Sequence, residues 1–341
     1  MRKALRYLTT QHSSFRIFVF RADVRITERE LPTSTGFDTK STQEILGIIN
    51  REDRKVALAV ARTLPQIARA VDLIVAALTR GGRLIYLGAG TSGRLGVLDA
   101  AECIPTFGTD RVVGLLAGAP EAMFRPTEVS EDNPKQAVRD LRRLRLHRGD
   151  VLVGISASGH TPYTLGGMRF ARRVGANTIA LTSTPRSPLC RLADAAIVPA
   201  VGPEVIAGST RMKAGTAQKL VLNMLSTASM VRWGRVFSNW MINVQARNQK
   251  LRRRAAAILA KAAGVSTARA TKTLEESGRE LPTALLMLWR KISKAEAARL
   301  IGKAPNTAAL LRAEWEARKK TLARNRPALR ARRLPVSRRV P

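Results

Sequence analysis

Two short loops hold most of the residues whose types and spacing could do chemistry. Gly88-Ala89-Gly90-Thr91-Ser92-Gly93 follows an apolar run, precedes a helical stretch and matches G-x-G-x-x-G letter for letter. A dinucleotide site built on that motif needs an acid at the tip of the second strand for the ribose hydroxyls. Here the second strand runs Val113-Gly114-Leu115-Leu116 into Ala117-Gly118-Ala119, with no acid at its tip, so the motif does not argue for NAD. What remains is more general. Glycines admit an anion to a helix N-terminus, and Thr91 and Ser92 offer hydroxyls beside it. The second loop, Ser156-Ala157-Ser158-Gly159-His160-Thr161, sets Ser156, Ser158 and Thr161 around Gly159, again between a strand and a helix. The same physics makes it a phosphate cradle. One serine alone would read as an N-cap with a turn. Two hydroxyl-rich loops at successive strand ends of a parallel sheet should converge on one crevice.

The elements that position these loops are legible from periodicity. Ser41 and Glu44 form a capping-box signature, followed by helical spacing through Ile45, Ile48, Ile49, Val56 and Val60. Ile67, Val71, Ile74, Val75 and Leu78 predict a second helix stopped at Gly81-Gly82. The period then changes. Apolar runs at 83–87, 112–116, 151–155, 178–181 and 195–201 alternate with helical stretches at about 95–102, 134–145, 160–174 and 187–193. This predicts an α/β fold, a doubly wound parallel sheet covered on both faces. A long helix is expected beyond Gly208, and Ala-rich short helices after Arg254 predict a small all-helical C-terminal module. The expected division is 1–40 as a poorly ordered extension, 41–250 as the sheet domain, 251–315 as the helical module and 316–341 as a disordered basic tail.

With 341 residues, 45% of them hydrophobic but only 4% aromatic, the chain supports one sizeable aliphatic core plus an appendage. Cys103 and Cys190 are far apart, and His12, His147 and His160 are scattered, so no disulfide framework, metal site or cofactor is expected. The apolar run at 15–20 is short and broken by Arg16; neither a signal peptide nor a membrane span is expected, and the cytoplasm is the expected location. The net charge is +34. Ten bases and no acid follow Glu316, yet most of the excess lies between the two ends. Such a surface attracts anions in general without specifying nucleic acid, for which no specific site is expected.

The residues also resemble a known family. S-x-S-G-x-T at Ser156–Thr161, preceded by Gly90-Thr91-Ser92-Gly93, looks like the sugar isomerase (SIS) fold, whose members bind phosphosugars. Longer runs resemble its N-acetylmuramic acid 6-phosphate etherase branch. They are Ile49-Asn50-Arg51-Glu52-Asp53, the stretch 82–96, Asp99-Ala100-Ala101-Glu102-Cys103, Val201-Gly202-Pro203-Glu204-Val205 and the stretch 211–225. Together they cover roughly 41–250. His160 stands where the family usually has Arg, the first 25 residues have no counterpart, and the similarity loosens after about residue 265.

The resemblance implies a phosphosugar substrate, a homodimer and cleavage of a lactyl ether by elimination, with two carboxyl groups and no cofactor. It carries the acid role to Glu102 and the base role to Glu131. The residues themselves are compatible with this. Glu102 has apolar neighbours Ala101, Cys103 and Ile104, whose burial would raise its pKa as an acid catalyst requires. Glu131 precedes Asn133-Pro134, an N-cap followed by Pro at the first helical position, which sets it on a loop entering a helix. Taken alone, each reads rather as a solvated helix charge, and it is the resemblance that favours the catalytic reading. Glu204, Thr210 and Lys213, after the last strand, are second-rank candidates for substrate contact; a capped helix start explains them nearly as well.

Three other functions share the cradle. A glucokinase regulatory protein-like binder would hold phosphosugars without cleaving them and would not need the glutamate pair. A SIS-type transcription regulator should carry a helix-turn-helix, and residues 1–40 contain no such helix pair. An aldose–ketose isomerase would share the cradle but not the etherase-like runs.

Overall fold

The computed structural model describes residues 26–331, apart from 126–127 and 245–247. Three single-turn 3-10 helices, Ile26–Glu28, Pro32–Ser34 and Phe37–Thr39, lead into α1 (Thr42–Ala61) and α2 (Leu64–Thr79). The expected capping box starts α1: Ser41 and Glu44 bond each other's backbone N–H. The sheet domain then alternates β1 (Leu84–Gly88), α3 (Gly90–Phe107), β2 (Val112–Leu116), α4 (Glu128–Glu131), α5 (Pro134–Arg143) and β3 (Val151–Ile155). It continues with α6 (Pro162–Val174), β4 (Asn177–Leu181), α7 (Pro188–Arg191), β5 (Ala195–Ile197) and α8 (Lys213–Arg232).

All five strands are parallel, in the order β2-β1-β3-β4-β5. Chain direction across the sheet reverses between β1 and β3, and a crevice opens at the strands' carboxyl ends there. Side-chain alternation splits the sheet's apolar residues between two cores. Leu84, Tyr86, Val153 and Ile155 pack with α1, α2, α3 and α8. Ile85, Leu87, Leu152 and Ala180 pack with α5, α6 and α7 on the other face. β5 is shorter than the apolar run at 195–201 because Pro199 cannot donate to a ladder.

A two-stranded ribbon, β6 (Val236–Phe237) with β7 (Trp240–Met241), joins the sheet domain to α9 (Gln249–Ala263), α10 (Thr267–Glu276), α11 (Leu281–Arg290), α12 (Lys294–Lys303) and α13 (Thr307–Ala331). These elements have a core of their own that starts at Phe237, ahead of the expected boundary at 251. The scarce aromatics concentrate there: Phe237, Trp240, Trp289 and Trp315 stack with ring centroids 5.7–6.1 Å apart.

Regular elements occur near both ends of the described residues. Residues 26–40 form the 3-10 turns, with Thr27 buried and its carbonyl accepting the Gly208 N–H at 2.9 Å; the Pro and Gly there are turn formers. The expected tail is helical as far as Ala331, since its Ala, Leu, Arg and Lys are strong helix formers. The remainder of both ends lies outside the described residues. Among the described residues, no helix is long and apolar enough to cross a membrane.

Candidate functional site

The loop after β1 turns straight into α3. Ala89 is at the N-cap in extended conformation with no side-chain cap, and the first helical bond runs from the Gly93 N–H to the Ala89 carbonyl at 3.1 Å. The N–H groups of Gly90, Thr91 and Ser92 lie ahead of the helical ladder, and with the helix dipole they make a seat for an anion. Close packing dictates the glycines. A Cβ on Gly93 would lie 2.6 Å from Leu116 Cδ1. Gly90 has φ +52°, and a Cβ there would meet Glu131 Oε1 at 2.7 Å. The Glu131 carboxylate is therefore held directly against the first loop, as α4 ends and the chain turns toward α5. The N-cap of α5 is the expected one: Asn133 Oδ1 accepts the Gln136 N–H at 3.0 Å, with Pro134 in the first turn.

The second loop is a hydroxyl network. Ser156 is buried; its Oγ accepts the Gly159 N–H at 3.0 Å and hydrogen-bonds Thr161 Oγ1 at 2.8 Å. Ser158 Oγ accepts the His160 N–H at 3.2 Å. The Ala157 carbonyl accepts from Thr182 and Thr184 hydroxyls at 3.1 and 3.2 Å, which ties the loop to the end of β4. Gly159, at φ +70°, shapes the turn rather than lining the cleft, because a Cβ there would run into Ser187. His160 folds back, its Nδ1 2.7 Å from the Ser158 carbonyl, and is absent from the cleft wall.

The two loops face each other across a cleft of about 330 Å³, the size of site that encloses a small ligand. Gly90, Thr91 and Ser92 line it from one side, and Ser156, Ser158 and Thr161 from the other. Glu131 and Thr210 complete the predicted set that the fold brings together. A larger groove of about 970 Å³ runs along β2 between α3 and α5, but it holds neither hydroxyl loop.

Sequence reasoning missed three cleft residues. Arg94 sits one turn into α3, its Nε donating to the Ala122 carbonyl at 2.8 Å, and supplies a fixed positive charge. It was visible within the G-T-S-G-R run. Thr27 and Glu28 come from the segment expected to be disordered, and no local signal marks them.

Three predicted residues lie elsewhere. Glu102 is exposed, because α3 turns Asp99, Ala100 and Cys103 inward and leaves Glu102 facing out. The buried carboxyl of that segment is Asp99, which accepts from Tyr86 Oη at 3.0 Å and Ser226 Oγ at 3.2 Å. Burial pushes its pKa up, with the Ser226 and Tyr86 hydrogen bonds opposing. Twelve residues also separate Gly90 from Glu102 along α3, about 18 Å of helix. Glu204 and Lys213 are buried beneath the start of α8 and do not line this cleft. Glu204 is 1% exposed and accepts the Lys213 and Ala214 N–H groups at 3.0 and 2.9 Å, capping α8. Lys213 Nζ donates to Glu52 Oε2 at 2.6 Å inside the fold. Among the described residues, no group of His, Cys, Asp or Glu could hold a metal ion.

Comparison with known proteins gives the chain's relatives. The glucokinase regulatory protein N-terminal SIS domain family matches residues 66–172, and the SIS domain family matches 133–228. An N-acetylmuramic acid 6-phosphate etherase of Edwardsiella ictaluri is 54% identical over 281 residues, 82% of this chain and 94% of that protein. The etherase of Vibrio vulnificus is 52% identical over 77% of this chain and 88% of its own length, and that of Photorhabdus laumondii 50% over 82% and 93%. With identity this high over nearly the whole of each relative, and with both hydroxyl loops facing one cleft, the chain belongs to the N-acetylmuramic acid 6-phosphate etherase family.

Proposed function

We propose that the protein is a carbon–oxygen lyase that converts N-acetylmuramic acid 6-phosphate and water into N-acetylglucosamine 6-phosphate and D-lactate, acting in the cytoplasm on amino sugars from the cell wall. The observation that carries this reading is the single polar cleft in which the N-terminus of α3, Arg94, the Ser156–Thr161 cradle and Glu131 converge. The 6-phosphate occupies the seat formed by the α3 N–H groups and the hydroxyls of Ser156, Ser158 and Thr161, where dipole and donors favour a dianion. With the sugar open at C1, the aldehyde acidifies the C2 proton. Glu131 takes that proton as general base, the C3–O bond breaks, and a carboxylic acid protonates the departing lactate oxygen. Water then adds to the unsaturated aldehyde at C3, and a proton returns to C2.

Glu102 is the proposed acid. Its distance from the cleft of its own chain implies that it acts in the cleft of a second copy. Leu98, one turn before Glu102 on α3 and 44% exposed, suits a homodimer face at that position.

The test is proton exchange at C2 in deuterated water with purified Glu102→Ala and Glu131→Ala. Exchange kept without lactate release in the first variant, and lost in the second, supports both roles. Exchange lost in the first and kept in the second reverses them. A binder without catalysis, the alternative reading, would give neither exchange nor lactate in the wild type.

A further inference from the structure

A second carboxylate of the same chain faces the cleft, and neither the hydroxyl loops nor the glutamate pair accounts for it. Glu28 lies on the cleft wall with Glu131, carried there by the first 3-10 turn. Three features fix it in place. The preceding Thr27 is 3% exposed, its carbonyl accepts the Gly208 N–H at 2.9 Å, and its hydroxyl donates to Glu28 Oε1 at 3.0 Å. Gly208, at φ +78°, leaves room for the other oxygen: a Cβ there would stand 3.1 Å from Glu28 Oε2. The carboxylate is thus held by a buried neighbour and given space by a glycine, whereas an ordinary surface glutamate has neither.

An ionised carboxylate only accepts hydrogen bonds, so the part of a ligand it meets must donate. The substrate proposed above has two anionic ends, the phosphate and the lactyl carboxylate, and both are repelled from Glu28. Among its remaining polar groups, those able to donate are the sugar hydroxyls and the acetamido N–H. We infer that Glu28 is a substrate-binding residue that accepts hydrogen bonds from the sugar's hydroxyl or amide groups and orients the ring with its phosphate toward α3. This assignment rests on the phosphosugar reading of the cleft but not on cleavage.

The probes are N-acetylglucosamine 6-phosphate, which carries the sugar donors without the lactyl group, and inorganic phosphate, which carries only the anion. Binding to the full-length wild type, Glu28→Ala and Glu28→Gln is measured by calorimetry, with phosphate read by competition. Loss of hydrogen bonds to a charged acceptor should weaken sugar phosphate binding about 10- to 100-fold in the alanine variant and less in the glutamine variant. Phosphate binding and the melting temperature should stay near wild type. Unchanged affinity of Glu28→Ala for the sugar phosphate would overturn the inference. So would an equal loss for both probes, which would make Glu28 a mere prop for the loop. Wild type that binds the sugar phosphate but releases no lactate from the proposed substrate would refute the lyase reading and leave the role of Glu28 to be decided by the same binding data.

Discussion

At Gly90, backbone and catalysis meet in one residue. Its φ of +52° is a conformation that L side chains rarely adopt, and the space where a Cβ would go faces the Glu131 carboxylate at 2.7 Å. Gly90→Ala should therefore cost about 1–2 kcal/mol of stability from the left-handed backbone alone. It should also push the proposed base away from the phosphate seat, where a displacement near 1 Å costs on the order of 100-fold in rate. Thermal melts and steady-state lactate release check both effects; an alanine variant with wild-type kinetics would show that Glu131 need not lie against this loop. Ser156 illustrates the other kind of site residue. Its hydroxyl is committed to Gly159 and Thr161, so it builds the cradle as much as it touches a ligand.

Among the elements, α8 is tied to α1 by the buried Lys213–Glu52 ion pair. Burial works against the Glu52 carboxylate, but the hydrogen bonds and charges of Lys213 and Lys55 outweigh it and hold its pKa below the usual glutamate range. A carboxyl held low in the fold binds fewer protons there than in the unfolded chain. Its contribution is full at neutral pH and is lost as pH falls below the ordinary glutamate value through the folded one. Glu204 goes the other way. Burial raises its pKa, and the α8 backbone bonds and the Lys213 charge only partly offset that. Glu52→Gln leaves Lys213 buried without its partner and should cost about 3–5 kcal/mol at pH 7, with a flatter acid limb. Glu52→Leu combined with Lys213→Met should recover most of that loss in urea unfolding. If the double variant is no more stable than Glu52→Gln, the pair is not acting as a buried ion pair.

The same elements show what sequence could and could not convey. The strands at 112–116 and 151–155 were legible to the residue, because strands of a covered parallel sheet are continuous apolar runs. Both hydroxyl loops were legible for the same reason: each sits where such a run ends. Glu204 takes the helix-capping alternative that its place before α8 offered, whereas the Lys213–Glu52 ion pair joins residues 161 apart and no local pattern announces it. Glu102 was expected to be shielded by its apolar neighbours, yet helical geometry sends adjacent residues to different faces. Thr27 and Glu28 were invisible because a few 3-10 turns have no periodicity; their order comes from the long-range bond to Gly208.

For the molecule as a whole, the distribution of the site between copies is the open structural prediction. If Glu131 of one subunit works with Glu102 of another, mixing inactive Glu102→Ala with inactive Glu131→Ala rebuilds one intact site in each mixed dimer. Random reassortment should then restore about a quarter of wild-type activity. No recovery after verified subunit exchange would place both residues in one chain's site or remove Glu102 from the reaction. The +34 charge bears on the same scale: a basic surface raises the local concentration of a trianionic sugar, so capture should weaken as salt rises.

The most direct test of the account is the release of D-lactate from N-acetylmuramic acid 6-phosphate by the purified wild-type protein, with no metal or cofactor added. The account predicts stoichiometric D-lactate and N-acetylglucosamine 6-phosphate, and one solvent deuteron at C2 of the product when the reaction runs in deuterated water. Tight binding of the substrate with no lactate released would contradict it and leave the cleft as that of a phosphosugar-binding protein.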